Sequence, residues 1–200
     1  MELKTSTCSR TDNRLMIFNP FRKDPFADAA LAAYNIIVAQ SRHPEFYLSH
    51  GIKDDVTGRF DMIALHMTLV FHRLHKGDED QRKFAQSLFD LFFKDMDRSL
   101  REMGVGDITV PKKVKKMGEV FYGLLGAVKD SYESKDVATL ALALNRNLYN
   151  DEDSTNANVL AQYAIGQIAN LGTQNQIIRG TIHFLSPEQS IASINAEEQE

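Results

Sequence analysis

Cysteine is almost missing from this chain of 200 residues: Cys8 stands alone in a polar leader. That scarcity excludes an intramolecular disulfide and a cysteine-built metal centre, and it points to a reducing compartment. No apolar run approaches the roughly 20 residues of a membrane span, and the leader MELKTSTCSRTDNR lacks the apolar core of a secretory signal. The chain is therefore expected to be cytoplasmic, soluble or attached to a membrane only at its surface. A basic surplus is missing too. With 23 Lys and Arg against 27 Asp and Glu, the net charge is −4, which argues against a general or sequence-specific nucleic-acid binder.

The familiar signatures of catalysis are absent as well. There is no P-loop and no GxGxxG, and Gly104-Val105-Gly106 is a GxG that ends a helix where a nucleotide loop begins one. Glu-x-x-His pairs, the helical mark of di-iron bundles, do not occur. His72 and His75 are three apart, but the nearest carboxylate on their helix is Asp61, about three turns away, so they read as a surface pair. His43-Pro44-Glu45 mimics a deaminase fragment, yet without later cysteines it is a turn. Asp90, Asp95 and Asp97 suggest an acidic site until helical geometry separates them, Asp95 near the apolar edge and the other two on the far face. No acid–base pair can be assembled, and no catalytic residue, metal or cofactor is assigned.

What the chain does have is phenylalanine and methionine at helical spacing. In FAQSLFDLFFKDMDRSLREMGVGD, from Phe84 to Asp107, the residues Phe84, Ala85, Leu88, Phe89, Leu91, Phe92, Phe93, Met96, Leu100 and Met103 fill an arc of roughly 200°, against the ~100° stripe of a surface helix. One neighbour cannot cover that arc, so this helix is expected at the centre of the domain. Its remaining face offers Asp90 to Lys94 and Asp97 to Arg101 as i,i+4 pairs, each stabilising by about 0.2–0.5 kcal/mol. Gly104 and Val105 predict a Schellman stop.

The other elements follow from caps and breakers. Residues 1–23 show no period and are expected to be a flexible leader, with the apolar group Met16, Ile17, Phe18 and Phe21 packing on the domain in preference to lipid. Asp24-Pro25 opens a helix to about Arg42, and His43-Pro44 breaks it. A helix from Gly58 to His75 carries two stripes, Phe60, Ile63, Met67, Val70, Phe71 and Leu74 against Met62, Leu65 and Leu69. Arg59, His66 and Arg73, spaced by seven, flank the second stripe. Such a helix is either sandwiched between two others or presents a narrow apolar groove, rimmed by cations and a histidine, to a partner segment.

Pro111 opens a helix to about Tyr132 whose first turn is crowded by Lys112, Lys113, Lys115 and Lys116. Cations there oppose the helix dipole, at up to about 0.3–1 kcal/mol per charge before screening, so something acidic belongs nearby. Asp107, Asp95, Asp97 and Glu102 can supply it within the fold; lipid headgroups, RNA phosphate or an acidic partner can supply it from outside. Further helices are read over Lys135 to Tyr149 and from Thr155 or Asn156 to about Leu171, joined by a polar connector at residues 150–154. The stretch from Gln174 to Leu185 is apolar but of unsettled type, and residues 186–200 read as a flexible tail. The expected architecture is all-α, a single irregular bundle of about six to seven helices around a central helix near residues 79–103, within one domain over 24–185.

Four stretches carry a family likeness. IVAQSRHPEFY (Ile37 to Tyr47), GRFDMIALHMTLVFHRL (Gly58 to Leu74), LFDLFFKDMDRSLREMGVGD (Leu88 to Asp107) and VPKKVKKMGEVFYG (Val110 to Gly123) resemble the ubiquinol-cytochrome c chaperone family, assembly factors for cytochrome b. Without a mitochondrial presequence the chain resembles a bacterial member. The resemblance implies a helical, non-enzymatic protein that binds newly made cytochrome b near the ribosome and the inner membrane, accompanied in mitochondria by a second small protein. It marks Arg59, Phe60, Asp61 and His66, then Asp90, Asp95, Asp97, Arg101, Glu102 and Asp107, then Lys112 and Lys113. The residues themselves add Met62, Leu65, Leu69 and Arg73 to the client-binding candidates. The alternative reading is a peripheral lipid- or quinone-binding module using Lys112 to Lys116.

Overall fold

In a computed structural model, residues 24–149 and 155–197 are described. The expectations for the leader, for the connector at 150–154 and for residues 198–200 fall outside them. Helix starts follow local chemistry. Asp24 accepts a hydrogen bond from the Phe26 amide at 2.9 Å just ahead of α1, Ala27–Ser41. His43-Pro44 then starts the short α2, Pro44–Leu48. Asp55 caps α3, Val56–Leu74, by accepting from the Gly58 amide at 2.8 Å. Asp78 and Gln81 form a reciprocal capping box at the head of α4, Glu79–Glu102, which satisfies two amides that a helix start otherwise leaves unpaired. Gly104, at φ 80°, stops α4: the Val105 amide bonds the Leu100 carbonyl at 3.0 Å and the Gly104 amide that of Arg101 at 2.9 Å, the Schellman pair read from the sequence.

Three more long or medium helices follow, α5 over Val110–Ser134, α6 over Val137–Leu148 and α7 over Thr155–Gly172. The described residues are all helix or irregular, with no strand, as the all-α expectation requires. The centre, however, belongs to α3 and not to the helix at 79–103. From Phe60 to Val70 every residue of α3 is buried, packed by α1, α4, α5 and α7. On α4 only Phe84, Leu88, Phe92, Met96 and Leu100 are buried. The reason is that α3 has apolar residues on both faces, whereas α4 keeps one face fully charged, and a helix apolar all round is the one a bundle encloses.

The unsettled stretch and the expected tail both take definite forms. Gln174 to Leu185 is irregular around a 3-10 turn, Ile177–Arg179, and buries Ile177 and Ile182. Side-chain amides serve its backbone as a neighbouring strand does: Gln174 exchanges hydrogen bonds with the amide and carbonyl of His183 at 3.0 and 2.7 Å, and Gln167 does the same with Leu185 at 3.2 and 2.8 Å. The expected tail contains α8, Pro187–Glu197, lying on α7. There the Ser190 hydroxyl donates to the Tyr163 carbonyl at 2.7 Å. A Cβ on Gly166 would stand 2.3 Å from the Ser190 carbonyl oxygen, so the two backbones approach only because residue 166 is glycine.

Candidate functional site

The groove read on α3 is not a surface. Met62, Leu65, Leu69 and His66 are each 0% exposed, and the sandwiched alternative is the one the fold adopts. His66 is held at both nitrogens. Its Nδ1 lies 2.7 Å from the Met62 carbonyl oxygen, which can only accept, so Nδ1 carries the proton and Nε2 accepts from the Tyr163 hydroxyl at 2.6 Å. Gln40 Nε2 in turn donates to the Tyr163 oxygen at 3.2 Å. Burial pushes the His66 pKa down to about 4, so the ring is a neutral, satisfied core group. Arg73 is a clamp: Nε donates to the Leu171 carbonyl at 3.1 Å and Nη2 to that of Gln174 at 3.0 Å, closing the end of α7. Of the three residues spaced by seven, Arg59 alone is exposed, and it pairs with Asp54 at 2.8 Å.

An apolar furrow does exist, on another side. It runs between the C-terminal half of α3, the N-terminal half of α4 and the middle of α5, with a volume of about 520 Å³. Phe71, Leu74, Ala85, Phe89, Phe121 and Leu125 form its walls, and His72, His75, Arg82, Gln86, Tyr122 and Lys129 its polar edge. Phe71, Phe89 and Phe121 meet with ring centres 5.7 to 6.3 Å apart, so the wall is a rigid aromatic surface. Burial, aided by the charges of His75 and Lys76, holds His72 below the ordinary histidine pKa. Phe121, 1% exposed, belongs to the core and forms the furrow's floor, while Phe71, Phe89 and Leu125 are half-buried above it. Periodicity gives a residue's face but not whether a neighbour reaches it.

The motif residues converge elsewhere, at the bundle end where α3 begins, α4 finishes and α5 begins. Two depressions adjoin there and share Val56, Phe60, Leu100 and Met117. The one of about 340 Å³ also holds Asp61, Lys113 and Lys116; the one of about 220 Å³ holds Arg42, Arg59 and Asp95. Asp95 accepts from the Tyr34 hydroxyl at 2.9 Å, and burial together with that carboxylate drives the Tyr34 phenol well above its usual pKa. Asp61 is only 5% exposed, and none of the hydrogen bonds among the described residues reaches its carboxyl group. Burial, with the Asp55 charge adding to it, pushes its pKa up to about 7.

The acids expected to neutralise the lysine cluster are engaged elsewhere. Asp97 pairs with Arg101 at 2.7 Å, Arg101 also with Asp107, and Glu102 with Arg98 at 2.7 Å. These pairs hold the exposed face of α4 and the loop after it. The pairing of Asp90 with Lys94 is replaced by a hydrogen bond from Gln86 at 2.7 Å. Lys115 comes within 3.9 Å of Glu119; among the described residues Lys112, Lys113 and Lys116 form no ion pair. Among the same residues no group of three or more His, Cys, Asp or Glu is placed to hold a metal, and no helix is long and apolar enough to cross a membrane.

The chain is similar to known proteins over most of this framework. The sequence model described as "Ubiquinol-cytochrome C chaperone" matches residues 48–184. A Xenopus laevis protein, "Ubiquinol-cytochrome-c reductase complex assembly factor 1", is 24% identical over 147 residues, covering 72% of this chain and 73% of that one. The crystal structure of the Cbp3 homolog from Brucella abortus superposes with a TM-score of 0.75 at 34% identity, covering 84% of this chain and 95% of that chain.

Proposed function

Because this chain belongs to the ubiquinol-cytochrome C chaperone family, we propose that it is a non-catalytic assembly chaperone of the ubiquinol-cytochrome c reductase complex whose client is newly made cytochrome b. The observation that carries the holding mechanism is the open aromatic furrow of α3, α4 and α5. An apolar client segment laid along Phe71, Phe89 and Tyr122 loses contact with water, at about 1.5–3 kcal/mol for each of its large side chains fully covered. A few such contacts suffice for a reversible complex, which a chaperone needs if the client is later to leave. Arg82, Lys129 and the two histidines at the edge keep the furrow soluble when empty and fix the register of a helix laid into it. The protein meets its client in the cytoplasm, at the inner-membrane surface where a nascent membrane protein emerges from the ribosome.

The test is capture of cytochrome b from its native membrane fraction. Tyr122 is 59% exposed, so Tyr122→Asp with Leu125→Gln changes the furrow while leaving the buried core in place. Co-purified cytochrome b is expected to fall about ten-fold, equivalent to about 1.4 kcal/mol, with helical content unchanged. Undiminished capture would remove the furrow from the mechanism. The names of the relatives weight assembly over the lipid- or quinone-binding alternative.

A further inference from the structure

The pocket at the bundle end brings together one carboxyl group and two lysines, Asp61, Lys113 and Lys116, that form no ion pair among the described residues. Asp61 is 5% exposed and lines the 340 Å³ pocket, and its carboxyl oxygens keep contact with solvent instead of being sealed in the core. Buried carboxylates ordinarily accept hydrogen bonds or meet a cation, since an uncompensated one opposes folding. Lys113 and Lys116 line the same pocket but form no ion pair with it. They belong to the cluster at the N-terminus of α5, where the helix dipole disfavours cations. The remaining walls, Val56, Phe60, Leu100, Met117 and Val120, are hydrocarbon.

We propose that this pocket is a docking socket for a partner polypeptide that inserts one arginine or lysine side chain toward Asp61 and sets acidic residues against Lys112, Lys113 and Lys116. The apolar walls suit the alkyl stem of such a side chain, which buries its methylenes while the charged head finds the carboxylate. Asp55 lies near enough for its charge to act on Asp61, but among the described residues no third histidine, cysteine or carboxylate joins them to hold a metal ion. A small organic cation has nothing to offer the lysines and is repelled by them. Only a chain carrying both signs answers both unpaired groups at once, and opposite charges a few residues apart set its register. Burial and the neighbouring Asp55 charge raise the Asp61 pKa, and a cation set against the carboxyl group would offset both. The socket is separate from the aromatic furrow, and it does not require that the partner be cytochrome b.

The test starts from a random dodecapeptide phage library, selected on the full-length protein and counter-selected on Asp61→Asn. Enriched peptides are expected to carry an arginine or lysine between apolar residues, with Asp or Glu within a few positions. A synthetic representative should bind the Asp61→Asn protein at least ten-fold more weakly. Replacing its basic residue by citrulline or norleucine should cost a similar factor, with no further loss when both changes are combined. Lys113→Gln with Lys116→Gln should weaken binding and flatten its salt dependence. The socket is overturned by a selection with no Asp61-dependent winners, by equal affinity for Asp61→Asn, or by losses that simply multiply. It is also overturned if Asp61→Asn melts lower than the wild type at pH 8, because the carboxylate then has a stabilising partner in the fold. A successful selection beside failed capture of cytochrome b leaves the socket standing and removes only the client assignment.

Discussion

Replacing Asp61 by asparagine is expected to stabilise this protein, and increasingly so as the pH rises. The unfolded chain releases the Asp61 proton near pH 3.8, whereas the folded protein holds it to about 7. Below the lower value both states are protonated and the acid contributes its full share to stability. As pH climbs through the window the unfolded state gains from releasing the proton while the folded state cannot, so that share is lost, and above about 7 the folded protein carries an ionised, uncompensated carboxylate. At about 1.4 kcal/mol for each tenfold, the two values bound the loss at about 4 kcal/mol. Water reaching the carboxyl group through the open pocket lowers the effect, and about 2 kcal/mol is the expected difference between variant and wild type at pH 8.5 relative to pH 4. Urea unfolding of both proteins across that range measures it, provided the slopes m agree. His66 acts in the opposite direction: between pH 6.5 and about 4 the unfolded chain takes up a proton that the buried ring refuses, so stability falls with acid. The observable is therefore the difference between the two proteins, in which His66 cancels. If variant and wild type stay parallel from pH 4 to 8.5, the carboxylate has a compensating partner and the reasoning fails.

Two other expectations concern the scaffold. Tyr163→Phe removes the hydroxyl that donates to His66 Nε2 and accepts from Gln40; a buried ring nitrogen left unpaired costs about 1–3 kcal/mol, readable as a lower urea midpoint with unchanged m. Gly58→Ala should also destabilise, by about 1–3 kcal/mol, although the same change in an ordinary helix is favourable by about 0.5–1 kcal/mol. A Cβ there would stand 2.1 Å from the Lys53 carbonyl oxygen, and a rise in melting temperature would show that the loop before α3 yields at no cost.

The helices were legible because their ends are written in local chemistry. Asp24-Pro25, His43-Pro44 and Gly104 each act within a few residues, and each boundary fell within a few residues of its signal. The two stripes of α3 were legible too, as was their ambiguity between sandwich and groove. What resolved it was α7, more than ninety residues away, whose Tyr163 meets His66. The order of burial between α3 and α4 was missed because a wide apolar arc was weighed without the charged face that keeps α4 at the surface. The helix at Pro187–Glu197 was missed because it docks through Gly166 and Ser190, a glycine and a serine that add nothing to an apolar pattern. Asp61 was marked by its motif, but its lack of a partner is a tertiary fact that no spacing encodes.

The central helix divides the molecule into two chemically unlike halves. Toward α1, α7 and the segment leading to α8, most polar groups are answered within the chain, with His50 Nε2 an exception: His66 by Met62 and Tyr163, Arg73 by two carbonyls, Gln167 by Leu185, Ser190 by Tyr163. Toward α4 and α5 the exposed face of α4 is ion-paired, but the aromatic furrow lies open and, among the described residues, Asp61 has no donor and the lysines of α5 form no ion pair except Lys115 with Glu119. Both halves pack on the same helix, so the difference is not one of overall stability. Unpaired groups retained at a cost in stability are what binding surfaces exhibit. Under the proposed function, the half built from α3, α4 and α5 is the working face, with one opening suited to apolar chain and another suited to charge. A client that engages both places an apolar stretch and a basic residue within the length of a short helix, since along α4 the furrow reaches Phe89 and the pocket Leu100, about 16 Å apart at the rise of an α-helix.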